Sequence, residues 1–365
     1  MMKQKIIFSE ALEQDLQREI EACRPDRLFV LTDENTQAHC WPMISRFPCM
    51  AMATAVTIPS GDENKTLESL SQVWSALQKG GATRHSLLVN LGGGMLTDLG
   101  GLAASTFKRG MHFINIPTTL LAMVDASVGG KTGVNFGGLK NEIGVFSEAQ
   151  AVIIDTDFLR TLDHENLLSG YAEMLKHGLL DTTEHWAQLL KSPFTPLSLP
   201  LCSSFTPLLQ RSIAVKERIV EADPHEKGLR KALNLGHTFG HAFEEWSFRS
   251  SGVQEFKSSG VRPLLHGYAV AYGLICELYL STVKCGFPIE KMRQTVQFIR
   301  ENYAADLHFT CDDYPELLHL MQYDKKNVAG TINFTLLADI GDIRLDQTAT
   351  EAEIREALDF LREGF

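Results

Sequence analysis

The sequence predicts an α/β N-terminal domain with a Rossmann-like parallel sheet, followed by a mainly α-helical C-terminal domain. Short apolar runs alternate with helical patterns over the first 150 residues, and long helical patterns dominate after about residue 155. Strands that alternate with helices form a parallel sheet covered by helices. The chain of 365 residues is also longer than one ordinary core requires. We therefore place the domains at 1–155 and 156–365.

Four buried strands are predicted in the first domain from apolar runs that end at polar turns, glycine or proline. They cover residues 27–34 (RLFVLTDE), 55–63 (AVTIPSGDE), 86–94 (SLLVNLGGG) and 113–119 (FINIPTT). Between them, residues 66–81 (TLESLSQVWSALQKGG) repeat large apolar side chains at helical spacing and end at glycines suited to a helix C-cap.

The second domain is predicted from helical patterns of 14 or more residues. Residues 247–263 are rich in serine and glycine and lack periodicity, so we expect an exposed loop between two helices there. The helical stretches are ENLLSGYAEMLKHGLL, TPLLQRSIAVKERIVEA, LNLGHTFGHAFEEW and AVAYGLICELYLSTVK.

Composition restricts the classes of partner. Hydrophobic residues make up 44% of the chain and charged residues 22%, which is typical of a globular protein. The formal net charge of −11 argues against nucleic acid and anionic membranes as partners. A small anionic substrate is compatible with this charge if basic side chains gather locally.

The seven cysteines include no CxxC pair, which indicates buried thiols in a reducing compartment. The first residues lack the apolar core of a secretory signal. The most apolar later stretch, around 113–128, is interrupted by an aspartate and glycines, so no transmembrane helix is expected. These features predict a cytoplasmic protein.

A glycine-rich turn, LVNLGGGMLTDLGGLAAS (88–105), joins a predicted strand to a predicted helix. Glycines let backbone N–H groups approach a phosphate, and a helix N-terminus favours its negative charge. The spacing differs from G-x-G-x-x-G, so a simple tight turn is the alternative to nucleotide binding. Asp98 is either an ordinary helix-start acid or an acceptor for a cofactor hydroxyl.

The stretch 116–146 holds two glycine pairs, a threonine pair, Asp125, Lys131, Lys140 and Asn141. It is too apolar for an ordinary surface loop, and its lysines argue against a core strand. Lysines at glycine-rich turns offer positive charge to a phosphate. The alternative is two solvated lysines on turns.

His237 and His241 lie four residues apart in GHTFGHAFEE, about one helical turn, so both imidazoles can share a face. The zinc-protease pattern H-E-x-x-H is absent, and packing is the alternative to metal binding. GYAEMLKHG places Glu173 and Lys176 on adjacent turns, where a surface ion pair is the ordinary interpretation. His266 stands where another helix begins.

Taken together, seven stretches in consistent order resemble the 3-dehydroquinate synthase family, which belongs to the sugar-phosphate cyclases. The resemblance covers about residues 55–340, and only the series of motifs makes it specific. The stretches are GGGMLTDLGGLAASTFKRG, IPTTLLAMVDASVGGKTGVN, GLKNEIGVF, YAEMLKHG, GLRKALNLGHTFGHAFE, LLHGYAVAYG and DKKNVAGTINFTLL.

This resemblance implies a lyase of the shikimate pathway, which leads to chorismate and the aromatic amino acids. Such an enzyme converts 3-deoxy-D-arabino-heptulosonate 7-phosphate to 3-dehydroquinate and phosphate. The family reaction proceeds by transient oxidation with NAD, phosphate elimination, re-reduction and intramolecular aldol closure. NAD is regenerated, and the family resemblance also implies a homodimer.

The resemblance also implies a catalytic metal site. Its ligands would be Glu173, His237 and His266, a carboxylate and two imidazoles that leave coordination positions open for substrate. This donor set suits Zn²⁺, with Co²⁺ as the alternative. His241 would work beside the metal as an acid–base or orienting group.

The remaining implied site residues fall into a cofactor group and a substrate group. The NAD group is Asp62, Lys65, Gly92, Gly93, Gly94, Asp98, Thr118, Thr119, Asp125, Lys131 and Lys140. The substrate phosphate would be held by Lys131, Asn141 and Lys176, with Arg109 from a second subunit. The substrate carboxylate would be held by Lys216, Arg230 and Lys326, with Lys140 and Asn234 completing the polar lining.

The chain departs from the usual family pattern at three positions. Asp62 stands where Glu is usual, Met123 replaces Gln, and Tyr268 replaces Glu. Glu244 and Glu245 either contact the ligand histidines or are merely solvated, and solvation is the favoured expectation.

Three alternative activities share this scaffold: aminodehydroquinate synthesis, deoxy-inosose synthesis and metal-dependent glycerol dehydrogenation. A substrate without a carboxylate gives no reason to group Lys216, Arg230 and Lys326. A simple dehydrogenase needs no phosphate-binding lysines. A binding protein that has lost activity is the more distant alternative, and no implied catalytic group is missing from the sequence.

Overall fold

The computed structural model divides the chain into two compact units, unit 1 (Met1–Asp163) and unit 2 (His164–Phe365). The division falls a few residues beyond the predicted boundary at 155/156, and unit 1 thus includes the 3₁₀ helix Thr156–Thr161, in which Phe158 and Leu159 are buried. The structure describes residues 4–137, 139–191, 205–250, 263–303, 307–322 and 331–363.

Unit 1 contains a six-stranded sheet in which every neighbouring pair of strands is parallel. The strand order is β1-β8-β5-β4-β2-β3, and the predicted α/β class is confirmed. The strands are β1 (Ile6–Phe8), β2 (Leu28–Asp33), β3 (Thr54–Ile58), β4 (Leu87–Gly92), β5 (His112–Pro117) and β8 (Ala151–Ile154), with β6 (Lys131–Phe136) and β7 (Leu139–Phe146) forming a separate antiparallel hairpin.

The helices of unit 1 connect these strands. The helix predicted at 66–81 is present with Gly80 as its C-cap residue. A π-helical turn covers Ala122–Ala126, and 3₁₀ helices include Asp62–Asn64 and Phe107–Arg109. The α-helices are α1 (Leu12–Cys23), α2 (Glu34–His39), α3 (Trp41–Ile44), α4 (Leu67–Lys79) and α5 (Gly94–Thr106).

The sheet order places the glycine-rich turn at a position suited to ligand binding. From β2 the chain moves outward to β3, whereas from β4 it moves the other way to β5. The adjacent strands β2 and β4 therefore form a topological switch point, and ligands of open α/β sheets bind at the carboxyl ends of the strands there. Gly92 is the last residue of β4.

Unit 2 is mainly helical, as predicted, with one antiparallel hairpin among its described residues. The helix that begins at His237 continues through Ser250, so the loop predicted from 247 is wrong for residues 247–250; the rest of that prediction, residues 251–262, lies outside the described residues. The elements are α6 (His164–Leu179), α7 (Thr183–Lys191), α8 (Phe205–Ala222), α9 (His237–Ser250), α10 (His266–Cys285), α11 (Ile289–Asn302), α12 (Tyr314–Gln322), β9 (Asn333–Asp339), β10 (Asp342–Thr348) and α13 (Glu351–Glu363).

The core of unit 2 surrounds α10, whose residues are nearly all buried from Gly267 to Ser281. This helix packs against α6, α9, α11, α13 and β9. Within the described residues, none of the helices combines the length and apolar character needed to cross a membrane.

Candidate functional site

The triple-glycine turn of unit 1 leads directly from β4 into α5, and its three residues carry no side chains. Gly92 ends the strand and Gly94 begins the helix. A Cβ atom at Gly93 would lie 3.1 Å from Cγ2 of Thr119, and the backbone N–H of Thr118 donates to the Gly92 carbonyl at 3.0 Å. The turn therefore places a helix N-terminus beside two threonines, which is the arrangement that accepts a phosphate.

Lys65 connects the turn region to the β6–β7 hairpin. Its ammonium group is buried and donates to Asp98 Oδ2 and Asn141 Oδ1, each at 2.5 Å. Asn141 has a φ of +53°, and its backbone N–H donates to Oδ1 of Asn135 at 3.0 Å. Three residues predicted for the site thus form one polar junction within unit 1, in which Lys65 is buried, Asp98 is partly buried and Asn141 is exposed.

Asp62, at the start of the 3₁₀ helix before Lys65, forms an ion pair with Lys140 at 2.9 Å. Both side chains are about half exposed, so this pair is weak and can open for a ligand. Lys131 is exposed at the start of β6, and Arg109 is exposed after α5 with a φ of +68°. Asp125 lies in the π-helical turn near Gly94, since Ala126 Cβ is 3.0 Å from where a Gly94 Cβ would stand.

Three helices of unit 2 bring the predicted metal ligands together. His237 and His266 are the first residues of α9 and α10, and Glu173 lies in the middle of α6. Nε2 of His237 is 3.5 Å from Glu173 Oε1, and Nε2 of His266 is 3.6 Å from the same oxygen. The three candidate donor atoms lie within 4.8 Å of one another, a spacing that one divalent cation can bridge.

The second nitrogen of each imidazole has its own partner. Nδ1 of His237 is 3.1 Å from the Leu235 carbonyl, and Nδ1 of His266 is 3.3 Å from Glu244 Oε2. When Nδ1 of a neutral imidazole carries the proton and donates it to such a partner, Nε2 keeps its lone pair. A metal that binds through Nε2 requires this tautomer. The expectation that Glu244 is solvated was wrong: its side chain is buried and contacts His266.

Burial and neighbouring charges act differently on the two histidines. Burial lowers the pKa of His237 well below its ordinary value, and the nearby Lys176 charge lowers it further. Burial also lowers the pKa of His266, but Glu244 and Glu173 outweigh this effect and raise it to about 10. A metal ion that binds His266 must displace a proton from its ring. A cation bound beside Glu173 would therefore take the place of that proton as the positive charge near the two carboxylates.

Close backbone contacts hold the three helices at this spacing. A Cβ atom at Gly267 of α10 would lie 1.9 Å from the Ser169 carbonyl oxygen of α6. A Cβ atom at Gly273 of α10 would lie 1.9 Å from the Gly236 carbonyl oxygen, just before α9. Glycine is therefore required at both crossings, and any larger residue would separate the helices that carry the ligands.

Further polar groups surround the three candidate ligands. Lys176 forms an ion pair with Glu173, and because both side chains are buried this is not the surface pair considered as the alternative. The imidazole of His241 is 5.2 Å from that of His237 and 6.1 Å from that of His266, measured between ring centroids. His241 is thus close enough to exchange a proton with a group held beside them.

Two buried cations, Lys216 and Arg230, lie on neighbouring elements of unit 2. Lys216 belongs to α8, and Arg230 belongs to the 3₁₀ helix Leu229–Asn234 that packs on α8. Asn234 donates to Glu226 Oε1 at 3.0 Å. Lys326 falls in 323–330, outside the described residues.

Sequence models of the two 3-dehydroquinate synthase domains match this chain in succession. The N-terminal model matches residues 55–169 and the C-terminal model matches residues 170–327. The chain belongs to the 3-dehydroquinate synthase family. The curated 3-dehydroquinate synthase of Parabacteroides distasonis is 52% identical over 365 residues, which is 100% of this chain and 99% of that protein. The 3-dehydroquinate synthase of Pyrococcus furiosus is 37% identical over 304 residues, 83% of each chain.

Solved structures of related cyclases share the fold. The 2-epi-5-epi-valiolone synthase of Streptomyces hygroscopicus, with NAD⁺ and Zn²⁺ bound, has a TM-score of 0.80 at 23% identity and covers 100% of this chain and 98% of its own. A 2-deoxy-scyllo-inosose synthase with carbaglucose-6-phosphate, NAD⁺ and Co²⁺ also has a TM-score of 0.80, at 21% identity, covering 99% and 96%. These likenesses show the fold that the 3-dehydroquinate synthase family shares with them.

Two polar contacts of this family member were missed from the sequence. For Glu244, contact with a ligand histidine was the less favoured alternative, although its spacing of seven and three residues from His237 and His241 places it on their helix face. Glu226 precedes Asn234 by eight residues across a turn and left no periodic signal. Of the positions that depart from the family pattern, Met123 and Tyr268 are both buried, and Tyr268 stacks edge-on against Tyr303.

Proposed function

We propose that this chain converts 3-deoxy-D-arabino-heptulosonate 7-phosphate to 3-dehydroquinate and inorganic phosphate. The observation that carries the proposal is the convergence of Glu173, His237 and His266 in a chain of this family. One carboxylate and two imidazoles suit a catalytic divalent metal that keeps positions open for substrate hydroxyls.

The cofactors of the proposal are NAD and Zn²⁺, with Co²⁺ as a substitute, as found in the two solved cyclases. The metal supplies a Lewis acid for adjacent hydroxyls and NAD supplies a transient hydride acceptor. In unit 2 the Nδ1 partners of His237 and His266, which are the Leu235 carbonyl and Glu244, would leave each Nε2 to such a metal. In unit 1 Gly92–Gly94, with Thr118 and Thr119, would hold the pyrophosphate, and Asp98, Asp125 and the Asp62–Lys140 pair would hold the rest of NAD.

Basic side chains would hold the two anionic ends of the substrate. We assign the phosphate to Lys131, Asn141 and Lys176, and the carboxylate to Lys216, Arg230 and Lys326, with Lys140 and Asn234 as further polar contacts. Lys176, Lys216 and Arg230 are buried cations of unit 2, and such cations can bind an anion strongly in a site that excludes water. Positioning both ends lowers the barrier by fixing orientation, and His241 would transfer a proton.

A cyclase acting on a sugar phosphate without a carboxylate is the second candidate. The grouping of two buried cations, Lys216 and Arg230, on neighbouring elements favours the heptulosonate phosphate, since a substrate lacking a carboxylate gives no reason to group them. Offering glucose 6-phosphate in parallel with the heptulosonate phosphate separates these candidates.

The direct experiment supplies purified protein with the heptulosonate phosphate, catalytic NAD and one equivalent of Zn²⁺. We expect stoichiometric release of inorganic phosphate together with 3-dehydroquinate, and no net formation of NADH. Accumulation of NADH without phosphate release would instead identify a dehydrogenase and overturn the proposal.

We also propose that the protein is a cytoplasmic homodimer in which Arg109 reaches the partner's site. Arg109 is exposed, and four large apolar side chains are exposed on the β6–β7 hairpin, namely Phe136, Ile143, Val145 and Phe146. An apolar strand edge of this kind is usually covered. The described cysteines are free thiols, which supports a reducing compartment. Light scattering that gives the monomer mass would contradict the dimer.

A further inference from the structure

Helix α9 begins at His237, and the residue before it has no side chain that could cap the helix. The preceding residue is Gly236, whose φ is +81° and which carries no side chain. The first N–H groups of a helix have no acceptor within the helix and need one from elsewhere. Here that acceptor comes from another helix. The first residue of α9, His237, is a candidate metal ligand.

Glu277 of α10 supplies the acceptor. Its side chain is fully buried, and its two carboxylate oxygens accept from the backbone N–H groups of Gly236 at 2.6 Å and Thr238 at 3.0 Å. One carboxylate therefore holds the residues immediately before and after His237. We propose that Glu277 is a positioning residue that fixes His237 in the orientation required for metal binding.

The choice of a carboxylate has a physical reason. A helix N-terminus carries partial positive charge, and a charged acceptor bonds its N–H groups more strongly than a neutral one. A carboxylate has two acceptor oxygens and no donor, so it can satisfy both N–H groups at once. Glutamine at this position would turn an NH₂ group towards one of these donors.

The surrounding contacts make the position of Glu277 rigid. Gly273 lies one turn earlier on α10 and touches the Gly236 carbonyl, so the two helices meet backbone to backbone beside the carboxylate. Ser281, one turn later, donates to the Glu277 carbonyl at 2.6 Å and accepts from Leu337 N–H of β9 at 3.0 Å. The hydroxyl of Thr238 donates to the Asn333 carbonyl at 3.1 Å. The first turn of α9 is thus tied to both α10 and β9.

This role differs from that of Glu244. Glu244 contacts the His266 ring directly, whereas Glu277 acts on His237 through the backbone on either side of it. Loss of Glu277 would free the first turn of α9 and leave the imidazole less ordered. Metal affinity would then fall even though all three ligands are still present.

The test measures zinc affinity by competition with a chromophoric chelator, for the wild type, Glu277→Gln and the control Glu290→Gln. Glu290 is an exposed glutamate at the start of α11. We expect Glu277→Gln to lose about 10- to 100-fold in zinc affinity, the range typical for residues that orient metal ligands, and the control to match the wild type. Cobalt-loaded Glu277→Gln should also show an altered visible spectrum, because the geometry around the ion changes.

Zinc affinity of folded Glu277→Gln within twofold of the wild type would overturn the inference, whatever the change in thermal stability. If this variant does not fold, Glu277→Asp retains the charge and shortens the side chain by one methylene; a weaker loss of affinity is expected, and unchanged affinity would contradict the inference equally. The inference rests on the proposed metal site. Failure of that site would appear separately, as a wild type that binds no zinc.

Discussion

The candidate binding sites of the two units are built from different groups, backbone in one and side chains in the other. Unit 1 offers backbone at a glycine turn, and its threonines follow within 27 residues of Gly92. Unit 2 offers side chains from three helices, and its candidate ligands span 93 residues from Glu173 to His266. A site made of contiguous backbone is sensitive to added bulk, whereas a site made of converging side chains is sensitive to loss of any one donor. Substitutions that affect one cofactor and spare the other test this contrast.

The largest effect is expected from Glu173→Gln. Removal of a charged ligand from the metal cluster should lower kcat/KM by about 1,000-fold or more, since a Lewis acid contributes several kcal/mol to such a reaction. Zinc affinity should fall as well, while NAD affinity, which we assign to unit 1, should stay at the wild-type value. Glu165→Gln, an exposed position on the same helix, serves as the control. Wild-type turnover after metal stripping of Glu173→Gln would refute the ligand assignment.

Arg230→Ala is expected to have the next largest effect, on substrate and not on NAD. Loss of a buried cation from an anion site costs about 2 kcal/mol or more, or ~30-fold in KM for the heptulosonate phosphate. The matched control is the neighbouring Lys231→Ala, which removes only the surface pair with Asp346. Equal losses of substrate and NAD affinity in Arg230→Ala would place this residue outside the substrate pocket.

Gly93→Ala should reverse the pattern of these two variants. Its new methyl group would stand where a phosphate approaches the backbone, so we expect the Kd for NAD to rise about 10- to 30-fold with zinc affinity unchanged. Adding Thr119→Ser removes the methyl group that the new Cβ would crowd. If this double variant regains wild-type NAD affinity, the effect was crowding against Thr119 and not loss of a phosphate cradle.

The smallest expected effect is a loss of folding stability at acidic pH, and we expect this loss in unit 2. Burial lowers the pKa of His185 from its ordinary 6.5 to about 4, despite the nearby Asp181. The unfolded chain therefore binds this proton more readily, and stability falls as pH drops from about 6.5 towards 4. Between pH 7 and 5.5 the loss from this group is about 1 kcal/mol.

Hydrogen exchange of zinc-loaded protein at pH 7 and 5.5 measures this difference unit by unit. The three histidines of unit 1, His39, His85 and His112, are exposed, so its amides should change less than those of unit 2. His185→Gln should reduce the pH dependence in unit 2. An unchanged pH dependence in this variant would assign the acid sensitivity to other groups.

The same contrast explains what the sequence could predict. Four strands of unit 1, β2 to β5, and the glycine turn are local, so apolar runs and turn residues were sufficient to place them, whereas β1, β6, β7 and β8 were not predicted. In unit 2 the spacing of His237 and His241 showed that both share a helix face but could not separate their roles. Which of the two histidines is the metal ligand depends on its distance to Glu173, and only the fold determines that distance. In the sequence analysis this distinction came from the family resemblance.

Contacts between elements distant in sequence could not be predicted by any local pattern. Glu277 is the one charged residue in the run 267–283 of α10, and a buried acid in such a run indicates a specific partner, which helical periodicity does not reveal. The partners of Lys65 are a second example, because Asp98 and Asn141 lie 33 and 76 residues away from it. Charge at a buried position indicates that a partner exists, but the identity of the partner requires the tertiary structure.

X-ray absorption at the zinc edge of the loaded protein tests most directly whether Glu173, His237 and His266 hold the metal. We predict a shell of nitrogen and oxygen atoms at about 2.0–2.1 Å with the scattering pattern of two imidazoles. A sulfur shell at about 2.3 Å would contradict this assignment by placing the ion on one of the cysteines.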